Sequence, residues 1–317
     1  VHIFLVLSGF VLALPFYQAL ERRPSAFSYV RRYSRLTIPI FTSVVLAYFV
    51  LHFGLIQAVP LGQATNSIPV LTELWQRAPQ LGEALLCGVG KIYFLEDVDY
   101  NPVLWMMKYV MFGSFMLYIL LRLPSLKARR LALVLCSIVF FPTNYLGIFL
   151  GAALADAYAN LAKSNFALQM LASYKWLLLF FAVLLGSFPM YGFELPPLYQ
   201  LMYVSGVKYN SLSSFYHALG ATLLLIWFLL SSKLEAISQH RIVHFFSSVS
   251  FYIYLIHLLV FAAMGSTVFM AIRPYLSYNL SVAVTFVLAT IVIIPLAWIG
   301  YRFIEKPLQF KLRSQAN

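Results

Sequence analysis

An all-α bundle of membrane-spanning helices is the fold this sequence predicts, on three observations. Hydrophobic residues make up 62% of the 317 and charged residues 10%, against about 45–50% and about 25% in soluble domains. The apolar residues gather into runs of span length, and the 22 Lys and Arg fall mostly between those runs on alternate sides. A soluble globule of this size lacks the polar surface to cover such a chain, and intrinsic disorder requires low hydrophobicity. The net charge of +12 does not call for nucleic acid as a partner. Short cytoplasmic loops collect Lys and Arg against anionic lipid, which accounts for it.

A span needs about 20 mainly apolar residues, fewer where neighbours shelter it. Nine candidates follow in order: 1–18, 36–57, 102–122, 131–142, 146–160, 175–190, 214–231, 246–271 and 280–303. The fourth and fifth are short and separated only by Pro142, Thr143 and Asn144, so they also read as one broken helix. With the first run entering from outside, seventeen of the 22 basic residues fall on the cytoplasmic side. That asymmetry favours an odd number of spans here and a cytoplasmic C-terminus. It predicts one further span upstream of Val1 and ten in the full protein. The whole of 1–317 is then a single transmembrane domain lacking its first span. The external stretch 58–101 is too long for a simple turn. In it Leu71, Leu74, Trp75, Ala78, Leu81 and Leu85 recur at helical spacing, predicting an amphipathic helix.

Chemistry-bearing residues are few. Arg31, Arg32 and Arg35 sit between Phe27 and Pro39, with Arg32 and Arg35 three apart and hence on one helix face. Guanidinium groups there suit a phosphate clamp at the cytoplasmic mouth, while plain topogenic charge meeting lipid headgroups is the commoner reading of such a cluster. In 246–271, Ser247, Ser250, Tyr254 and His257 form one polar stripe on an apolar cylinder. Intramembrane ionisable residues are costly and point to function. Neutral His257 suits proton transfer, or it is a hydrogen-bonded histidine tying two helices together. Asn101 reads as a helix N-cap, with Pro102 first in the helix and Trp105 just beyond. Asp156 reads as interfacial, Gly147 and Gly151 as a small-residue packing pair, and His2 and His52 as lone interfacial groups. Cys87 and Cys136 form no disulfide framework. His240 and His244 are spaced i, i+4 with no Glu or Cys to complete a metal set, so no metal is expected.

Together these pieces resemble the membrane acyltransferase-3 family of multi-spanning O-acyltransferases, over nearly the whole chain. The run Phe4 to Phe10 ends in Ser8-Gly9-Phe10, similar to the family's Ser-Gly-Phe. Arg31, Arg32, Arg35 and Pro39 match its Arg-x-x-Arg segment, Asn101 to Ser114 resembles its Trp-centred block, and Ser250 to His257 followed by Glu305-Lys306-Pro307 resembles its closing signature.

The resemblance implies an integral-membrane enzyme in the plasma (bacterial inner) membrane. It would move an acyl group, acetyl above all, from acyl-CoA to a hydroxyl of a carbohydrate or lipid-linked acceptor. Arg31, Arg32 and Arg35 would hold the CoA phosphates, and Ser8, Asn101 and Trp105 would face substrate. The family's base is a histidine on the first span, so Tyr254 and His257 take supporting roles. The chain departs from the family pattern at Met106 and Val110, where a hydroxyl residue and a Glu are usual. That leaves two other classes open, a catalytically silent binding or assembly subunit and a transporter or flippase.

Overall fold

The computed structural model describes residues 1–67, 74–75, 78–161, 170, 172–190 and 195–314. Every regular element among them is helical, the arrangement that satisfies backbone N–H and C=O groups without water. The main helices are α1 (His2–Gln18), α2 (Ala26–His52), α3 (Ala58–Thr65), α4 (Leu81–Leu86), α5 (Met107–Leu121), α6 (Leu126–Val139) and α7 (Leu146–Leu161). They continue with α8 (Lys175–Gly186), α9 (Tyr209–Leu229), α10 (Arg241–Val260), α11 (Ser266–Ile272), α12 (Tyr278–Gly300) and α13 (Lys306–Ser314).

Among the described residues, five helical stretches are long and apolar enough to cross a membrane: Ala26–His52, Pro102–Leu121, Tyr209–Leu229, Arg241–Ile272 and Tyr278–Leu312. His2–Gln18, Leu146–Asn160 and Lys175–Gly186 are apolar but shorter. The nine runs of the sequence therefore resolve into five spans of full length and several shorter helices. The run 131–142 falls on α6, which begins with Lys127, Arg129 and Arg130 in its first turns. It is separate from α7, the two helices pack on each other, and Pro142 stands in the turn between them, where it cannot continue a helix. The helix carrying Arg31, Arg32 and Arg35 starts at Ala26, well before the apolar run at 36, so all three arginines ride on it.

The chain divides into two compact units, Val1–Tyr29 with Tyr109–His240, and Val30–Lys108 with Arg241–Asn317. In the first, α1 packs on α7 and α9, α7 on α6, and α8 on α9. The α1–α7 crossing is close because glycines face backbone: a Cβ on Gly9 would strike the Ile148 main chain, and one on Gly151 the Val6 main chain. Arg129, 1% exposed, closes this unit's basic end by donating to the carbonyls of Leu123 (3.1 Å), Phe16 (3.0 Å) and Leu20 (3.1 Å). It thus satisfies carbonyls that the end of α1 leaves without helical partners. Arg23 donates to the neighbouring carbonyls of Arg122, Leu123 and Pro124. Asp156 is held in place: Arg130 grips it through both oxygens (2.6 and 3.1 Å) and Asn160 adds a third bond (2.9 Å). Nor is His2 lone. It is buried, with its ring 5.4 Å from that of His217, whose Nε2 hydrogen-bonds the Phe188 carbonyl (2.6 Å).

In the second unit α10 packs on α12, and α11 packs on α3 and α12. Among the described residues of this unit there are three single π-helical turns, Cys87–Lys91, Phe261–Gly265 and Tyr301–Glu305. The periodic set expected as one amphipathic helix is broken: Trp75 has φ +58°, 78–80 is non-helical and helix resumes at Leu81. Leu71 lies outside the described residues. From Leu81 to Phe94 the chain runs against α2, where Gly88 lets it approach Phe41 and Tyr33 donates to the Val89 carbonyl (2.8 Å).

The glycine contact gives a test. Gly151→Ala forces the α1–α7 backbones apart and costs about 1–3 kcal/mol, seen as a lower thermal midpoint of the detergent-solubilised protein. Gly82→Ala, which meets nothing within 4 Å, leaves the midpoint nearly unchanged.

Candidate functional site

Asn101 occupies the N-cap position of the 3-10 turn Pro102–Met106, yet its side chain does not cap that turn. It reaches across to α10 and α2 instead: Nδ2 donates to the Leu255 carbonyl (2.8 Å) and to Ser43 Oγ (3.3 Å). The orientation of the amide is fixed by its partners. A carbonyl only accepts, and Ser43 has already given its proton to the Ile40 carbonyl (2.8 Å), so both positions demand N–H groups. Asn101 Oδ1 must then point elsewhere, and it is buried with no hydrogen-bond partner. The residue is 1% exposed.

The same 3-10 turn is tied a second time to α10, where the Tyr254 hydroxyl donates to the Val103 carbonyl. One turn on, His257 Nδ1 lies 2.8 Å from the Tyr254 carbonyl and 3.2 Å from that of Ile253. Both are acceptors, so Nδ1 carries a proton, and in the neutral ring it is Nε2 that holds the lone pair. The Tyr254 and His257 rings are 6.0 Å apart, and both residues are half-buried. Of the polar stripe expected on this helix, Ser247 and Ser250 are exposed and the Ser250 hydroxyl turns back to the Ser247 carbonyl (2.9 Å). Only the second half of the stripe joins the cluster.

The arginines lie lower on α2. Ser43 is eight residues beyond Arg35, an axial rise of about 12 Å. Arg31 and Arg32 are half-buried and Arg35 is exposed. Arg32 acts electrostatically on Tyr93, whose hydroxyl bonds Thr37 Oγ1 (3.0 Å). Burial holds the Tyr93 phenol above its ordinary range, and the Thr37 bond and the Arg32 charge oppose that. Arg35 acts on Glu305, whose Oε1 accepts from Gln309 Nε2 (2.9 Å) while Oε2 is buried without a hydrogen-bond partner. Sequence reasoning gave no role to Ser43 or Tyr93 and named Glu305 only within a closing signature. The one available signal was the Glu305-Lys306-Pro307 tripeptide, which says nothing about its partner.

The structure thus brings Asn101, Tyr254 and His257 together within one unit, with Arg31, Arg32 and Arg35 on the helix that also carries Ser43. Trp105 lies on the 3-10 turn four residues past Asn101 and is 41% exposed. Ser8 is half-buried on α1, in the other unit. Met106 and Val110 are apolar and 3% and 0% exposed. Among the described residues no group of three or more His, Cys, Asp or Glu converges on a point.

A helical membrane protein with a buried polar cluster on one helix pair is the class that these observations define. The acyltransferase-3 family model, described as an acyltransferase domain, matches residues 1–302, and the chain belongs to that family. No curated protein and no solved structure matches it significantly.

The amide orientation is open to test. Asn101→Asp keeps the shape but sets acceptor against acceptor at Leu255 and Ser43. It should destabilise the folded protein by about 1–3 kcal/mol, read from thermal unfolding in detergent.

Proposed function

We propose that the protein is an integral-membrane O-acyltransferase that moves an acyl group, acetyl in its simplest form, from acyl-CoA to a hydroxyl of a carbohydrate or lipid-linked acceptor. The observation that carries this reading, beside the family, is the arrangement along α2. Cationic groups at its first turns suit the CoA phosphates, and the Asn101–Tyr254–His257 cluster lies about 12 Å further on, a separation that an extended pantetheine arm spans. Arg31 and Arg32 are half-buried, and partial burial strengthens a phosphate contact by lowering the local dielectric.

In the reaction the acceptor oxygen attacks the thioester carbonyl carbon. The new C–O bond forms, the C–S bond breaks, and the hydroxyl proton ends on the CoA sulfur. His257 Nε2 supports this step by accepting a hydrogen bond from the hydroxyl. Tyr254 supports it by holding the 3-10 turn, since its own proton is committed to Val103. Asn101 Oδ1 is an acceptor for a substrate donor, and Trp105 offers an exposed apolar face beside it. Membrane lipid surrounds the whole.

A second reading, a silent relative that binds without transferring, draws on one observation: Met106 and Val110 are apolar and buried where the family carries a hydroxyl and a carboxylate.

Arg35→Ala tests the donor site. Acyl-CoA affinity measured by calorimetry in detergent falls about tenfold or more, and Arg35→Lys recovers part of it, because an ammonium cannot form the planar fork. Unchanged affinity rejects the acyl-CoA reading, whereas acyl-CoA binding without transfer to any hydroxyl acceptor favours the silent relative.

A further inference from the structure

The chain marks where α12 leaves the membrane core. Leu280 to Ile299 are 20 residues without a charged side chain, about 30 Å of helix and so the thickness of the hydrocarbon layer. Tyr278 and Tyr301 flank that run, as aromatic residues do at the two interfaces. Helix nevertheless continues, through the π-helical turn Tyr301–Glu305 into α13. Phe310 lies about 16 Å of further rise beyond Ile299. The headgroup layer is only about 5–7 Å deep on each side, so a straight continuation would stand Phe310 in water. A π-helical turn is a common place for a helix to change direction, and here it stands at the membrane boundary.

The surface of this extension is two-sided. Arg302, Phe303, Lys306, Pro307, Phe310 and Lys311 are exposed, whereas Ile304, Glu305, Leu308 and Gln309 are half-buried and Leu312 is buried. The exposed set recurs at i, i+1, i+4, i+5, i+8 and i+9, which is one half of a helix. Phe303 and Phe310, 69% and 75% exposed, hold the middle of that half. Arg302 and Lys306 run along one edge, and Lys311 stands on the other. The single acid of 301–314 is Glu305, on the opposite side, where its Oε1 accepts from Gln309 Nε2 (2.9 Å). The neighbouring helix of the unit does not cover the face. α10 with α11 is joined to α12 by the short turn 273–277, so α10 and α12 pack antiparallel. The Tyr252 ring meets Gly300, which puts Arg241, as far before Tyr252 as Lys311 is after Gly300, at the level of Lys311. There Arg241 to Ser247 are exposed too, Ile242 and Phe246 among them. α10 thus adds apolar and basic surface at that level.

Two phenylalanines set between cations, with no acid on the same face, suit the boundary between acyl chains and anionic headgroups. We infer that the segment Tyr301–Ser314 lies along the cytoplasmic leaflet, with Phe303 and Phe310 at the acyl boundary and Arg302 and Lys306 holding the phosphates of anionic phospholipids. The inference uses the cytoplasmic C-terminus that the basic asymmetry predicts and is independent of the acyl-CoA reading. Such an anchor sets the depth at which α12 stops, and with it the depth of α10, which packs on α12.

The test uses the full chain in lipid nanodiscs. Phe310→Trp keeps an aromatic ring at an exposed position, and its added emission over wild type reports what touches it. Phosphatidylglycerol or phosphatidylcholine carrying brominated acyl chains, which quench indole on contact, is included at the same low fraction in phosphatidylcholine discs. Brominated phosphatidylglycerol should quench the added emission about threefold more than brominated phosphatidylcholine, and high salt should shrink the difference. Arg302→Gln together with Lys306→Gln should abolish the preference and leave the quenching itself. Lys233→Gln, an exposed cation of the other unit, should leave both. No quenching by either lipid overturns the inference, because the face then meets water or a protein. Equal quenching by the two lipids overturns it as well, leaving an apolar contact without headgroup recognition, and so does a preference that survives the double substitution. Phe303→Trp, read in the same way, supplies a second position if Phe310→Trp folds poorly.

Discussion

A primary amide buried to 1% exposure has to place its two N–H groups on acceptors inside the protein, and Asn101 places them on two different helices. That constraint organises the second unit. By binding the Leu255 carbonyl of α10 and Ser43 of α2, the amide fixes where the 3-10 turn Pro102–Met106 begins. Tyr254 then locks the same turn from the opposite direction through Val103. In an apolar interior each such bond is hard to exchange, because no water competes for the partners and an unmade bond leaves a desolvated group. The consequence for chemistry is that Asn101 Oδ1 and His257 Nε2 emerge as acceptors beside one stretch of α10. Their orientation comes from fixed partners rather than from side-chain choice.

The two units use arginine in contrasting ways. In the first, Arg23 and Arg129 are committed to backbone carbonyls at helix ends, and Arg130 to a bidentate bond with Asp156. These side chains shape the protein and have little capacity left for a ligand. On α2, Arg32 acts on Tyr93 and Arg35 on Glu305. The counts of basic residues in the sequence treat both groups alike, as cytoplasmic charge, and only the partners separate them. The apolar Met106 and Val110 are both enclosed, and a carboxylate at either place would need a paired partner.

Much of the helical architecture was legible in the chain, because composition and apolar run length are local properties. The arginine turn, the Asn101–Trp105 block and the α10 stripe were legible too, each from spacing on one helix. What spacing could not supply was how each helix end and side chain is used. Asn101 read as a local cap, since Asn before Pro at a helix start favours one, and a tertiary bond won instead. Four of the apolar runs carry helices of 12 to 17 residues, a length that hydropathy along the chain does not report. His2 read as solitary because its partner His217 is more than two hundred residues away.

By itself the sequence determined that the protein is helical, suited to a membrane, and a member of the acyltransferase-3 family, because these properties are carried by composition and by motifs within single helices. The tertiary structure alone decided that Asn101 binds Leu255, 154 residues distant, that Tyr254 binds the Val103 carbonyl, and that the His2 ring comes to lie beside that of His217. Hydrogen bonds and charges act over a few ångströms, and which residues come that close depends on how separate helices pack.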